Sequence, residues 1–148
     1  MQIDIRQATL KDMTQLSALF DQYRVFYQQQ SDLKLAQEFL TTRIEKAESI
    51  IFVAETQQQI LLGFSQLYPS FSSVSAKRTW QLNDLYVQAE YQNLGIGTQL
   101  LNQVKAYAKH TGAKGVFLQT AKTNTGAQKL YQSLGYQAQD YLGYFLTV

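Results

Sequence analysis

The run from Trp80 to Thr98 constrains this chain more than any other, because an apolar strand feeds a glycine-bearing loop and the loop opens a helix. Thr79 to Val87 alternates and then turns apolar, as a central strand does. Gln88 to Gly97 is a loop with glycines at 95 and 97, and Thr98 to Lys109 repeats apolar residues at helical spacing before Gly112 closes it. Glycine admits a ligand close to backbone, and the first N–H groups of a helix carry partial positive charge. Such a segment suits a phosphate. A glycine pair before a helix is equally a common tight turn, so the surroundings must decide.

Around this unit the chain predicts β-α-α-β-β-β-α-β-α-β-β, a mixed sheet with helices on both faces. Ile3 and Ile5 fit a strand, and Thr9 with Asp12 signals a helix start whose apolar face, Leu16 to Tyr27, extends to Gln28–Gln30. A second helix is expected from Leu33 to Glu48, with Leu35, Phe39, Leu40 and Ile44 inward. Ile50–Glu55 and Ile60–Tyr68 read as a hairpin, and Pro69 to Ser75 as a loop. Val116–Gln119 is a short strand, Thr125 to Leu134 a helix closed by Gly135, and Tyr136 to Val148 a terminal hairpin.

Composition narrows the chemistry. At 148 residues and 45% hydrophobic content, one domain over 1–148 is expected. No apolar run reaches the roughly 18 residues of a membrane span, and the N-terminus lacks the layout of a signal peptide, so a cytoplasmic protein with no membrane partner is expected. With no cysteine and one histidine, His110, thiolate chemistry is excluded and no metal site is expected. The net charge is only +2 and the basic residues are scattered, which argues against nucleic acid as a partner. The loop lacks the third glycine of a dinucleotide fold and the Gly-Lys-Ser/Thr of a P-loop.

Gln92-Asn93-Leu94-Gly95-Ile96-Gly97 resembles the acyl-coenzyme A signature of the GCN5-related N-acetyltransferase (GNAT) superfamily, Arg/Gln-x-x-Gly-x-Gly/Ala after a long central strand. Asn124, Ala127, Leu130, Tyr131 and Leu134-Gly135-Tyr136 fit the second half of the same pattern. The resemblance is close from Trp80 to Tyr136 and nearest to the histone and polyamine acetyltransferase-like subgroup. It implies a mostly antiparallel sheet of six or seven strands splayed near Val87, with about four helices on both faces, and direct transfer of an acetyl group from acetyl-coenzyme A to an amine. By the same resemblance, the backbone of Leu85, Tyr86 and Val87 pairs with the pantetheine arm. Gln92, Asn93, Leu94, Gly95, Ile96, Gly97 and Thr98 hold the pyrophosphate, while Asn124, Ala127 and Tyr131 complete the coenzyme side. An amide-bearing arm can add to an exposed strand edge through main-chain bonds, and a bulge near Val87 is expected to open that edge.

Acyl transfer needs a neutral amine, a polarised thioester and a proton for the departing thiolate. A lysine-like amine with a pKa near 10.4 pays about 4 to 5 kcal/mol to be neutral at pH 7, so a base matters for it. The resemblance gives Tyr131 the role of acid, with a core aromatic as the alternative. Asp84, a lone carboxylate in an apolar strand, is the candidate base or amine-binding group; a structurally bonded carboxylate is its alternative. Related polyamine enzymes carry Glu-Asp where this chain has Asn83-Asp84. Asn83 cannot act as a base, though it can order a water, and strand alternation sets it opposite Asp84 unless a bulge intervenes.

On the acceptor side the candidates are Tyr23, Arg24 and Tyr27 on one helix face, with Trp80 and Asp84. An aromatic, partly acidic cleft suits a cationic amine, while Arg24 suits an acceptor carboxylate or pairs with Asp21. A small amine or amino acid is the expected acceptor. The alternatives are a protein lysine or N-terminus, or a non-catalytic domain that senses acyl-coenzyme A. The apolar Tyr141–Leu146 stretch is either core or, as in related proteins, part of a homodimer interface. If Tyr131 is the acid, Tyr131→Phe lowers turnover at least about tenfold in steady-state assays with little change in coenzyme affinity; unchanged turnover removes the role.

Overall fold

In the computed structural model, which describes all 148 residues, five strands lie side by side in the order in which the chain makes them. They are β1 (Ile3–Gln7), β2 (Ile50–Thr56), β3 (Leu61–Ser72), β4 (Lys77–Val87) and β5 (Val116–Phe117). The first four pair antiparallel, and β5 joins β4 in parallel. Helices α1 (Met13–Phe26), α2 (Leu33–Glu45), α3 (Ile96–His110) and α4 (Thr125–Ser133) complete the set, with single 3-10 turns at Leu10–Asp12 and Ala89–Tyr91. The chain divides into two compact units, Met1–Leu118 with all five strands and α1 to α3, and Gln119–Val148 with α4.

The mixed, mostly antiparallel sheet is as expected, but it has five strands rather than six or seven. The missing ones are the terminal hairpin, for Tyr136–Val148 forms no strand. Tyr141, Leu142, Tyr144, Phe145 and Leu146 are each at least 80% exposed. A hairpin that buries no face is marginal at best, which accounts for the absence.

Burial sorts the first unit into layers. Phe64 sits across from Val53 on one side and Tyr86 on the other, so the three share a face. The Phe20 and Tyr23 rings of α1 lie 6.0 and 5.7 Å from Phe64, and Leu16, Leu19, Ala36 and Leu40 fill the space around them. Phe52 neighbours Val53 and therefore points the other way, where its ring meets Tyr107 of α3 at 5.4 Å. Helices α1 and α2 thus cover one face and α3 the other.

Several boundaries differ from the expectation. The Thr9 capping box forms with Asp12, but it starts a 3-10 turn ahead of α1. Helix α1 stops at Phe26 because Gln28 takes φ +69°, and α2 stops at Glu45 before Ala47 at φ +52°. Leu35 is 46% exposed; the inward stripe of α2 runs through Ala36 and Leu40 instead, flanked by Phe39 and Ile44. Helix α3 begins at Ile96, two residues before Thr98, and β5 is two residues long. The strand β3 continues through Pro69 to Ser72 where a loop was expected. Pro69 pairs with Trp80, whose N–H bonds the Gly115 carbonyl at 3.1 Å on the β5 side. The Pro69 nitrogen consequently faces away from β4, past the last paired residue of β2, where no donor is needed.

One irregularity in β4 governs the site. Partners run in step from Gly63 opposite Val87 to Gln66 opposite Asp84, then slip so that Leu67 faces Leu82. Asn83 is the extra residue, so the expected bulge falls there rather than at Val87. Trp80 and Leu82 accordingly face α3, while Asp84 and Tyr86 face α1 and α2. β5 pairs only with Trp80 and Gln81, so the outer edge of β4 from Leu82 onward has no strand beside it. That is the splay.

At the far end of this edge, β3 and β4 approach closely: a Cβ on Gly63 would lie 2.7 Å from the Tyr86 carbonyl and 3.3 Å from Val87. Gly63→Ala should therefore cost about 1–3 kcal/mol in urea unfolding. An unshifted midpoint would show that β4 yields without strain.

Candidate active site

The bulge at Asn83 builds a buried polar cluster on the α1/α2 face of the sheet. Asp84 is only 4% exposed, and a carboxylate so buried needs donors. Gln66 Nε2 donates to Asp84 Oδ2 at 2.5 Å, and Asn83 Nδ2 donates to Oδ1 at 3.0 Å. The second bond exists because the bulge brings adjacent side chains to the same side. The Tyr23 hydroxyl donates to the Asn83 carbonyl at 3.4 Å and also interacts with the Asp84 carboxyl. Behind Gln66, the Ser49 hydroxyl donates to Gln66 Oε1 at 2.8 Å.

These contacts set the proton affinities. Burial pushes the Asp84 carboxyl above its ordinary range, against the opposing pull of the Gln66, Tyr23 and Asn83 donors. Tyr23 is raised well beyond its usual value by burial and by the Asp84 charge. Tyr68, on the same face of β3, is pushed up to about 12 by burial and Asp84, with Arg43 pulling the other way. The cluster is a carboxyl of raised proton affinity flanked by phenols that remain protonated at neutral pH.

Of the expected acceptor residues, Tyr23 and Asp84 come together. The Tyr23 ring also meets Tyr27 at 5.0 Å and Tyr86 at 6.0 Å, and the exposed Tyr27 extends the aromatic wall outward. Arg24 holds one guanidinium nitrogen, Nη1, buried without a hydrogen-bond partner. Asp21 does not bond it directly; that carboxyl is held by the Ser31 hydroxyl and the Asp32 N–H. Trp80 is not brought to this cluster. The bulge turns it to the α3 face, where its Nε1 donates to Thr111 Oγ1 at 2.9 Å and its ring lies 5.3 Å from Tyr107.

The coenzyme candidates of the first unit form a continuous run from the open edge of β4 into α3. Leu85, Tyr86 and Val87 are half-buried at that edge, and Gln92 Nε2 donates back to the Val87 carbonyl at 3.0 Å, tying the loop to the strand end. Asn93 takes φ +63° and Gly95 φ +83°, two left-handed steps that turn the chain into the helix with exposed Leu94 between them. A Cβ on Gly95 would meet no atom, so its backbone angle rather than crowding favours glycine there. No side chain caps α3, and its first internal bond is Gln99 N–H to Gly95 O at 3.1 Å. The N–H groups of Ile96, Gly97 and Thr98 are thus left to a ligand, while the Ile96 side chain anchors the turn in the core. Those residues fit a pyrophosphate.

In the second unit, Asn124 caps α4 by accepting the Ala127 N–H at 3.2 Å, which commits its carbonyl oxygen to the helix. Tyr131 is half-buried with its ring 5.7 Å from Tyr136, whose hydroxyl is pushed up to about 12 by burial and by Tyr131.

Sequence reasoning missed Ser49 and Gln66. The one signal available was a glutamine inside the apolar run Leu61–Leu67, where an amide needs buried partners.

A sequence model described as the Acetyltransferase (GNAT) family matches residues 13–136, and the chain belongs to that family of acetyltransferases. The uncharacterized N-acetyltransferase YhfO of Bacillus subtilis is 47% identical over 135 residues, 91% of this chain and 90% of that protein. A solved structure described as a probable acetyltransferase is 39% identical, with a TM-score of 0.93 over 98% of this chain and 97% of its own. Thialysine N-epsilon-acetyltransferase of Bos taurus is 31% identical over 91 residues, 62% of this chain and 53% of that protein. Members of the family use acetyl-coenzyme A as co-substrate.

A carboxyl whose folded pKa lies above its unfolded value binds its proton more tightly when folded, so its stabilisation is present below about 3.8 and lost as pH rises above it. Asp84→Asn, which cannot ionise, is therefore expected to unfold at higher temperature than wild type at pH 7. The gap should shrink as pH falls towards 4. A wild type that is the more stable of the two at pH 7 would show that the donors outweigh burial.

Proposed function

We propose that this acetyltransferase moves the acetyl group of acetyl-coenzyme A directly onto a primary amine of a small molecule, a polyamine, an amino acid or a related amine. The observation that carries the reading is Asp84, a buried carboxylate on a face walled by Tyr23, Tyr27 and Tyr68. A cationic amine placed there gains charge pairing and contact with aromatic faces, and loses a proton to a carboxyl whose affinity burial has raised. The name of the thialysine relative supports a small amine as acceptor. The buried, unpaired Nη1 of Arg24 favours an amine that also carries a carboxylate.

Acetyl-coenzyme A supplies the activated thioester. The chain's own contribution is to hold both substrates. The open edge of β4 at Leu85–Val87 offers main-chain partners to the pantetheine arm, and Gln92 to Thr98 offer N–H groups to the pyrophosphate. Fixing two reactants in attack geometry is worth about 7–11 kcal/mol, so positioning accounts for much of the rate. Asn83, bonded to Asp84 Oδ1, orients the carboxylate rather than taking a proton. Tyr131 keeps the acid role that the family resemblance implies.

Thermal unfolding with and without acetyl-coenzyme A, on wild type and Gly95→Trp, tests the coenzyme site. A coenzyme at a hundred times its dissociation constant should add about 2.7 kcal/mol to wild type alone. The variant's own transition without coenzyme reports whether it folds. Coenzyme A release with L-lysine, spermidine and a lysine-bearing peptide then separates the acceptors. A stabilised wild type that acetylates only the peptide would replace the small-molecule reading, and no stabilisation would sink the coenzyme site.

A further inference from the structure

The polar cluster runs one layer deeper than the groups that face an acceptor. Gln66 is fully buried in the middle of β3, and a buried primary amide is costly unless both of its ends are bonded. Here they are, with Oε1 accepting from the Ser49 hydroxyl at 2.8 Å and Nε2 donating to Asp84 Oδ2 at 2.5 Å. Asn83 is exposed and Tyr23 half-buried, so both approach Asp84 from the accessible side. Gln66 approaches from within the sheet.

We propose that Gln66, held by Ser49, is a positioning residue that fixes the Asp84 carboxylate and keeps it ionised in the cleft. The inference rests on the assignment of Asp84 as the amine-facing group. An amide nitrogen can only donate, so an Nε2 turned to Asp84 favours the carboxylate over the acid. The bond from Ser49 selects that orientation by occupying Oε1. The other groups facing Asp84 are Tyr23 from α1, Tyr68 from β3 and Asn83 from its own strand, with Arg43 of α2 acting on Tyr68. Both phenols stay protonated where Asp84 titrates, and of the groups that donate to the carboxylate Gln66 alone is fully buried.

The test is a direct titration on the full chain labelled with carboxyl-¹³C aspartate, the Asp84 signal being assigned by its loss in Asp84→Asn. Gln66→Met keeps the volume and removes the donor; the Asp84 midpoint should rise by at least about one pH unit, with a smaller rise in Ser49→Ala. Thermal unfolding of each variant identifies those that fold. A folded Gln66→Met that titrates within about 0.3 unit of wild type overturns the proposal. Should that variant not fold, Ser49→Ala decides alone, and an unmoved midpoint overturns it equally. Acetyl transfer to L-lysine or spermidine by Asp84→Asn separates the two readings. Undiminished transfer removes Asp84 from the reaction and leaves the titration result standing, whereas lost transfer with an unmoved Gln66→Met midpoint removes only the positioning role.

Discussion

Much of the site depends on a single extra residue in the pleat of β4. Strand alternation would put Trp80, Leu82, Asp84 and Tyr86 on one face. With Asn83 bulged, the first two face α3 and the last two face α1 and α2. Trp80 can then pack against Tyr107 and bond Thr111, while Asp84 reaches Gln66 and Tyr23. The same residue supplies a donor to the carboxylate from the adjacent position, a contact that a regular strand forbids. Without the slip, either the indole or the carboxylate would be on the wrong side of the sheet.

The cluster around Asp84 resolves a conflict between burial and charge. A carboxylate in a low-dielectric setting loses hydration, and proteins compensate with donors or by protonation. This one uses donors of three kinds: an amide from the neighbouring strand, an amide from its own, and a phenol from α1. The result is a carboxyl whose proton affinity burial raises and these donors restrain, the kind of environment that tunes a carboxyl for acid–base work. The reciprocal effect on Tyr23 and Tyr68 keeps both phenols neutral beside it.

The coenzyme side rests on backbone. Left-handed turns at Asn93 and Gly95 swing the chain so that α3 begins without a side-chain cap, and Gln92 pins the loop to the end of β4. The edge of β4 stays open because β5 pairs over only two residues. Opposite that edge, Gly63 lets β3 press against Tyr86 and Val87 from the other side.

The sequence by itself determined what is local. Glycine spacing, helical periodicity and capping residues placed the loop, α1 to α4 and the central strand, because those signals depend on neighbours a few positions away. The Gln92–Gly97 and Asn124–Tyr136 patterns pointed to the family. Only the tertiary structure decided the bulge at Asn83, for a register slip is a relation between β4 and β3 and leaves no mark in either strand alone. It likewise decided that Pro69 sits in a strand, that Trp80 belongs to the α3 face, and that Gln66 and Ser49 stand behind Asp84. Residues 17 and 18 positions apart meet only once three strands are laid side by side. The terminal segment shows the converse. A turn near Leu142-Gly143 amid apolar residues reads as a hairpin, yet the apolar residues of Tyr141–Leu146 stay at least 80% exposed, and such a segment becomes a strand only where it has a face to cover.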